Sequence, residues 1–458
     1  MALPEKFLEN MQEILSAENY QNYLDSFSRD RYYGLRVNTS KISVEDFLKI
    51  SPFKLKPISW CKEGFYYDGK KERPAKHPYY YAGLYYLQEP SAMYPASILD
   101  IKENEIVLDG CAAPGGKSSQ LLAKMPDSSY LISNDISPSR CMGLLKNLTL
   151  TGRDNYCVIS TDLVELSKKV QNCFDKILLD APCSGEGMFR KDPALINQWY
   201  PEINDFYQQK QKQIIQAALR MLKPTGQIVY STCTFSKMED EDIVEFAIDS
   251  DSNLQLERLE KFDGFCDGLN EKTKDCARLY PFLIDGEGHF TALLTRLGSD
   301  KTQSFELNNA HKYDIIDSIK EFLSLVNKGW ANGYFKRIND KIYYIKNQFE
   351  DFSKVRTISS GLMVGTMKNN RFEPSTALAL SLKMNQFANV LNLKSDDIRT
   401  IKYLKGETIN IAQEKLDDGY VLVCVDGYSL GFGKNSGGVL KNKYEVNYRW
   451  QWYDWISS

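Results

Sequence analysis

Between residues 105 and 232 the chain repeats one pattern, a short apolar run followed by a helix-forming stretch, and that repetition leaves few folds open. The runs are EIVLDG, YLISND, NYCVIS, KILLD and QIVYST. Runs this short, bounded by turn residues and separated by helices, read as strands buried on both faces of a parallel sheet. The intervening stretches carry helix signals. CAAPGGKSSQLLAKM runs to a stop at Pro126, and the next helix has Ser137 as its cap, Pro138 in its first turn and Gly152 at its end. HFTALLTRL, from His289 to Leu297, supplies a last strand. The expected core is α/β, a doubly wound parallel sheet with helices on both faces.

Sheets of this class bind ligands beyond the carboxyl ends of their strands, so the residues there carry the chemistry. In FDKILLDAPCSGEGMFRKDP the fourth strand ends at Asp180 and opens into a loop with Cys183; in QIVYSTCTFSKMEDED the fifth opens into Ser231 to Thr234 around Cys233. If those strands are neighbours, two thiols and a carboxylate face one pocket. The turn after the first strand, Cys111, Ala112, Ala113, Pro114, Gly115, Gly116 and Lys117, has small residues that let backbone amides approach a ligand, with a helix N-terminus behind them. A phosphate-binding loop would need glycine at 111; Gly110 misses that register by one, although KILLD still passes for the carboxylate strand of a nucleotide triphosphatase. The dinucleotide pattern G-x-G-x-x-G is absent from this turn. Asp135 closes the second strand, at the right distance to accept hydrogen bonds from ribose hydroxyls, and Asp162 follows the third, where it meets an adenine amino group. Each alone is often only a helix cap or turn residue. A nucleoside-bearing cofactor across strands one to three, with a reactive pocket at strands four and five, describes S-adenosylmethionine and its acceptor.

That pocket suits a pyrimidine. Cytosine carbon 5 is a poor nucleophile until a thiolate adds to carbon 6 and turns the ring into an enamine-like species, and a thiolate can later leave. A carboxylate at N3 and the exocyclic amine, the role expected of Asp180, favours ring protonation as charge develops. A second thiol helps to remove the carbon 5 proton or release the adduct. Cysteine inside a cell is most often a buried structural residue. Cys183 and Cys233 instead sit in polar loops beside Pro182, Ser184, Thr232 and Thr234.

Composition works mainly by exclusion. The 458 residues, 43% hydrophobic and 12% aromatic, suffice for several cores. Ten cysteines without a C-x-x-C pair argue against a zinc site and against a secreted disulfide framework, so no metal is expected. There is no apolar run of membrane-spanning length and no signal peptide at the N-terminus, which reads as cytoplasmic. The net charge of −3 gives no global attraction to nucleic acid, so RNA binding needs local basic patches. One candidate is Lys70, Lys71, Arg73 and Lys76 ahead of Tyr79, Tyr80, Tyr81, Tyr85 and Tyr86; a solvated loop beside core tyrosines is the simpler reading. The expected organisation is a region over 1–93, the sheet domain over 94–297, a polar linker over 298–312, a middle α+β module over 313–385 and a compact β unit with glycine-rich turns over 386–458.

DGCAAPGGKSSQ, NDISPSR, DAPCSGEGMFRKDP and YSTCTFSKMEDED, together with GLRVNTSK, AGLYYLQEPSAM and RLYPF…GEGHF, resemble the Sun-type RNA cytosine-5 methyltransferases, and within them the RsmF-like bacterial enzymes of Gram-positive type. The resemblance implies a class I methyltransferase sheet, an N-terminal α+β RNA-binding region and a C-terminal PUA-like β domain. It implies that Cys233, in TCT, is the nucleophile and that Cys183 assists release, whereas DNA cytosine methyltransferases attack with their PC cysteine. By the same likeness residues 111–117, Asp135, Arg140, Asp162 and Asp180 contact S-adenosylmethionine, with Lys117 inside the catalytic crevice. RNA contacts are expected at Arg190 and Lys191 and, on the PUA-like unit, at Lys434, Lys441, Lys443 and Arg449. Glu445 stands where the family often has proline, and Phe282 where histidine is common. The implied activity is 5-methylcytosine formation in small-subunit (16S) ribosomal RNA by a monomer acting on the RNA or the small ribosomal subunit. Transfer-RNA methylation and a non-catalytic RNA-binding assembly factor are the alternatives.

Overall fold

A computed structural model describes residues 3–299, 315–330, 333–346, 355–369 and 371–450, so most of the expected linker lies outside the described residues. Ten strands form the central sheet: β1 Ile106–Asp109, β2 Tyr130–Asn134, β3 Tyr156–Ile159, β4 Phe174–Asp180, β5 Leu222–Thr232, β6 Leu254–Glu257, β7 Phe265–Cys266, β8 Ala277–Leu279, β9 His289–Arg296 and β10 Thr357–Ser360. In space they run β7-β8-β9-β5-β4-β1-β2-β3-β10, with β6 also paired to β9. The first three strands are buried along their whole length, as two covered faces require. Strands β1 to β5 are parallel, and the winding reverses between the adjacent β1 and β4. A crevice opens at such a reversal.

Half of the sheet departs from the expected all-parallel arrangement, since β6 to β10 all pair antiparallel with their neighbours. Strand β9 runs antiparallel to β5, pairing Phe290 with Thr232. Its apolar run gave no hint of this, because a doubly buried strand looks alike in either direction. Strand β10, expected within the middle module, crosses back to pair antiparallel with β3.

The N-terminal region places a four-stranded sheet (Tyr33–Val37, Lys56–Ile58, Cys61–Tyr67, Tyr85–Leu87) over the helix Gly116–Lys124. Arg36, 2% exposed, reaches across to donate to the Gly116 carbonyl and to Ser119 Oγ. Helices Glu5–Ile14 and Ala17–Ser26 bury Phe7, Met11 and Tyr23 against Phe189, Trp199 and Phe235. Those partners follow Cys183 and Cys233 in the chain, so the N-terminal helices brace both reactive loops. The basic and aromatic run takes its simpler reading: Lys70 pairs with Asp30, Lys71 with Asp68, and Tyr79 and Tyr85 are core.

Beyond the sheet, strands Tyr334–Ile338, Lys341–Ile345, Leu362–Lys368 and Arg371–Pro374 form one small sheet. Strands Val390–Leu393, Ile409–Asn410, Gly419–Val425, Tyr428–Ser436 and Val439–Asn442 form another. No helix among the described residues is long and apolar enough to cross a membrane.

Candidate active site

Strands β4 and β5 are neighbours with Asp180 opposite Ser231, so their end loops leave the sheet side by side. The loops are then tied by backbone bonds, Ala181 N–H to the Ser231 carbonyl at 2.8 Å and Gly187 N–H to the Cys233 carbonyl at 2.8 Å. The result is a sulfur–sulfur distance of 3.4 Å between Cys183 and Cys233. The bond to Cys233, with burial, pushes the Cys183 thiol well above its ordinary value, so it keeps its proton at neutral pH.

Buried carboxylates hold this arrangement. Glu239 accepts from Ser184 N–H (3.0 Å), Gln211 Nε2 (2.9 Å) and Asn204 Nδ2 (2.8 Å). Burial pushes its carboxyl up to about 7 against the pull of those donors. Glu186 accepts from Phe235 N–H at 3.2 Å and Trp199 Nε1 at 3.1 Å, and the Ser184 and Thr234 hydroxyls bond at 2.7 Å. Every link joins the Cys183 loop to the Cys233 loop or to the helix behind them.

Asp180 stands beside the thiols with its side chain 34% exposed to the cleft. Its carboxylate meets Lys117 Nζ at 2.7 Å and His289 Nε2 at 3.5 Å, and accepts from Ser231 Oγ at 3.0 Å. Burial opposes its charge, but Lys117 and His289 together hold the carboxyl well below the usual range. Burial and the neighbouring Lys117 push the His289 imidazole down, which leaves it neutral at pH 7.

The glycine-bearing turn closes the cleft on the other side. Gly115 takes φ +109°, a left-handed conformation that favours glycine, and leads directly into the helix Gly116–Lys124. Asp109 is fully buried at the end of β1; Ser118 Oγ bonds one oxygen at 2.6 Å, and the other has no partner. Burial pushes this carboxyl up to about 7. The cleft, about 240 Å³, is lined by Asp109, Cys111 to Pro114, Gly116, Lys117, Asp180, Cys233 and His289, and by Tyr86 to Glu89 of the N-terminal region. An orphaned carboxylate oxygen, small residues and a helix start together fit a cationic amino-acid nucleoside such as S-adenosylmethionine.

Four expected cofactor contacts lie outside that lining: Gly115, which turns the chain into the helix, and Asp135, Arg140 and Asp162. Asp135, with its side chain 3% exposed, accepts from Ala113 N–H (3.3 Å) and Ser137 N–H (2.9 Å) and pairs with Arg140 at 3.3 Å. Arg140 also donates to the Ala113 carbonyl at 2.7 Å, so this pair shapes the turn from behind. Asp162 is exposed and caps the helix Leu163–Ser167 through Val164 N–H.

The expected RNA contacts divide in the same way. Lys191 is exposed and lines the cleft. Arg190 is instead buried, 4% exposed and 3.6 Å from Glu287, which is 2% exposed. The two cations are adjacent in the chain, between Phe189 and Asp192, and in sequence they read alike. Lys434 and Lys441 are exposed and directly opposite across two strands, whereas Lys443 pairs with Glu373 at 3.4 Å and Arg449 donates to the Tyr444 carbonyl. His289, Glu239, Glu186 and Asp109 were not among the expected site residues. His289 stood in the quoted GEGHF segment, but only the antiparallel β9 brings it beside Asp180.

Family comparisons agree along the chain. Residues 96–295 match the model of 16S rRNA methyltransferase RsmB/F, and residues 3–90 that of the N-terminal domain of 16S rRNA methyltransferase RsmF. Residues 321–382 match the RsmF rRNA methyltransferase first C-terminal domain and 390–450 the methyltransferase RsmF PUA domain. The chain is 30% identical over 471 residues to ribosomal RNA small subunit methyltransferase F of Escherichia coli, covering 96% of this chain and 95% of that one. It is 29% identical over 450 residues to the protein of that name from Shewanella oneidensis, covering 94% of each. Among solved structures it is similar to a methyltransferase homolog protein from Pyrococcus horikoshii, with 31% identity and a TM-score of 0.56 over 64% of this chain and 100% of that one. The chain belongs to the RsmB/F family of 16S rRNA methyltransferases, enzymes that use S-adenosylmethionine to methylate ribosomal RNA.

Proposed function

We propose that this enzyme methylates carbon 5 of a cytosine in small-subunit ribosomal RNA, with Cys233 as the attacking thiol and Cys183 as the proton donor at release. The observation that carries this reading is the pair of sulfurs 3.4 Å apart beside an Asp180–Lys117 ion pair of 2.7 Å. S-adenosylmethionine, when bound, supplies the electrophilic methyl group. Residues 111–117 and Asp109 would hold it, with Asp135 and Arg140 fixing the turn and Asp162 at the rim.

The chain's own groups divide the remaining work. The Cys233 sulfur adds to carbon 6 of the ring, and Asp180, kept ionised by Lys117, accepts from the exocyclic amine as charge builds on the base. Lys117 supplies the balancing positive charge. After carbon 5 is alkylated its proton passes to water, the carbon 5–carbon 6 double bond re-forms with that electron pair, and the carbon–sulfur bond breaks with its electron pair on Cys233. Cys183, which keeps its proton at neutral pH, delivers it to that departing thiolate. A stacked base cannot present carbon 6 to a thiol, so the target is unpaired or flipped.

The proposed setting is a cytoplasmic monomer acting on ribosomal RNA or the small subunit. The proposed division is 1–93, 94–297, a linker over 298–312, 313–385 and 386–458, with β10 reaching back to the second of these; Lys434, Lys441, Lys443 and Arg449 are proposed RNA contacts of the last. The test is transfer of labelled methyl from S-adenosylmethionine to unmodified small-subunit RNA, assembled subunits and transfer RNA in parallel, with products mapped by bisulfite sequencing. Label at cytosine in a ribosomal substrate is the expected result. Label on transfer RNA alone overturns the substrate, and cofactor binding without label on any RNA overturns the catalytic reading.

A further inference from the structure

Arg190 is buried, and what it holds is exposed. Its guanidinium pairs with Glu287 and donates to the Gly286 carbonyl at 3.5 Å and to the Arg29 and Asp30 carbonyls at 3.5 and 3.4 Å. Three segments distant in sequence are thereby knotted: residues 29–31, the loop that follows Cys183, and the turn that precedes His289. A buried ion pair is poor value as a stabiliser but effective at fixing one arrangement. The arrangement fixed here puts two cations at the cleft mouth. Lys191 lines the cleft, and the exposed Arg31 donates through Nη1 to the Lys191 carbonyl at 3.1 Å while its guanidinium lies 5.7 Å from the Tyr33 ring.

Among the described residues neither Arg31 nor Lys191 has a carboxylate at ion-pair distance, whereas Lys49, Lys56, Lys70 and Lys71 all do. Exposed Arg29, Lys54, Lys62 and Arg73 share that freedom, and what sets Arg31 and Lys191 apart is their place: Lys191 lines the cleft and Arg31 holds its carbonyl. Asp30, the acid next to Arg31 in the chain, is taken by Lys70 at 2.6 Å. Tyr33, 37% exposed, offers a flat face beside the charge. Cations without a close carboxylate partner, with an exposed aromatic ring at the mouth of a pocket that takes one base, match a single strand of RNA: phosphates take the charge and a neighbouring base takes the ring.

We propose that Arg31 and Lys191 form a phosphate clamp that holds the RNA backbone flanking the target nucleotide, with Arg190 as the buried pin that sets their spacing. The proposal rests on the RNA methyltransferase reading and locates its strand-binding edge. Arg31→Gln, Lys191→Gln and their double variant, with the wild type and Lys102→Gln as a control just before β1, at the amino end of the strands, are assayed for binding to a single-stranded small-subunit RNA fragment over a range of salt. Each clamp variant is expected to flatten the slope of log affinity against log salt by about 0.7, and the control to leave it unchanged. The KM for RNA rises in the double variant while the KM for S-adenosylmethionine stays at the wild-type value, and Arg31→Lys restores the slope. Wild-type slope and KM in the double variant overturn the clamp, as does an equal effect of Lys102→Gln. Failure of the underlying reading is separate: the wild type itself would then form no 5-methylcytosine.

Discussion

Replacing Glu239 with glutamine removes a buried charge while keeping most of the shape, and the consequence can be worked out. In the folded chain the carboxyl lies at about 7 against an ordinary 4.5, because burial outweighs three hydrogen-bond donors. A carboxyl raised on folding stays protonated in the native state while the unfolded chain ionises, so stability from this group is highest below the unfolded value and falls as pH rises toward the folded one. The native state binds the extra proton, and the slope of unfolding free energy with pH is negative in that window. At about 1.4 kcal/mol per unit, the loss is about 2 kcal/mol between pH 5 and pH 7 and levels off near 3 kcal/mol above pH 8. Glutamine has no such slope, and its amide nitrogen faces the Asn204 donor just as the hydroxyl of the protonated carboxyl does, so that mismatch is common to both proteins at pH 5. The variant should therefore be about as stable as wild type at pH 5 and more stable than it, by about 2 kcal/mol, at pH 8. Hydrogen exchange of the slowest amides in β4 and β5, compared between the two proteins at each pH so that intrinsic rates cancel, reads this difference. A difference that stays constant from pH 5 to pH 8 would refute the argument, because Glu239 would then be ionised in the folded protein throughout.

Three further outcomes follow from the same geometry. Cys183→Ala should accumulate an RNA–protein adduct that survives denaturing electrophoresis, and Cys233→Ala should form none; methylation by Cys233→Ala would exclude it as the nucleophile. Lys117→Met removes the cation 2.7 Å from Asp180; kcat should fall by about 10²-fold or more, and the acid limb of the pH–rate profile should move to higher pH as the Asp180 carboxyl loses its counter-charge. Arg278→Met strands Asp240 and Glu241, both fully buried and now at 3.2 and 2.5 Å from its guanidinium. Thermal unfolding should report a loss of about 3–5 kcal/mol at neutral pH.

The five parallel strands were legible because burial on both faces leaves an uninterrupted apolar signal, and the site residues at their ends followed from that alone. Cys183 and Cys233 meet because β4 and β5 are adjacent, the condition on which the sequence reading of a shared pocket rested. Direction was not legible: the apolar run of β9 is the same read either way, so His289 was missed although its motif was in plain view. Burial of individual charges was equally hidden. Arg190 and Lys191 are adjacent and chemically alike, and Glu287, about 100 residues later in the turn before β9, draws the first inward while the second lines the cleft. Asp135 and Asp162 fell at the predicted strand ends, yet the first is spent on the turn and the second on a helix cap, because a carboxylate takes the nearest free N–H.

Strand β10 has a consequence for how the protein is made. It covers the outer edge of β3, yet it emerges in synthesis about 200 residues later, and chains grow at roughly 5–20 residues per second. For that interval β3 presents unpaired backbone groups to the ribosome's surroundings, a template for adventitious pairing with other nascent chains. A gene fragment ending near Leu297 makes the exposure permanent, so the catalytic sheet produced without its C-terminal half should aggregate, and supplying residues 355–369 as a separate peptide should keep it in solution.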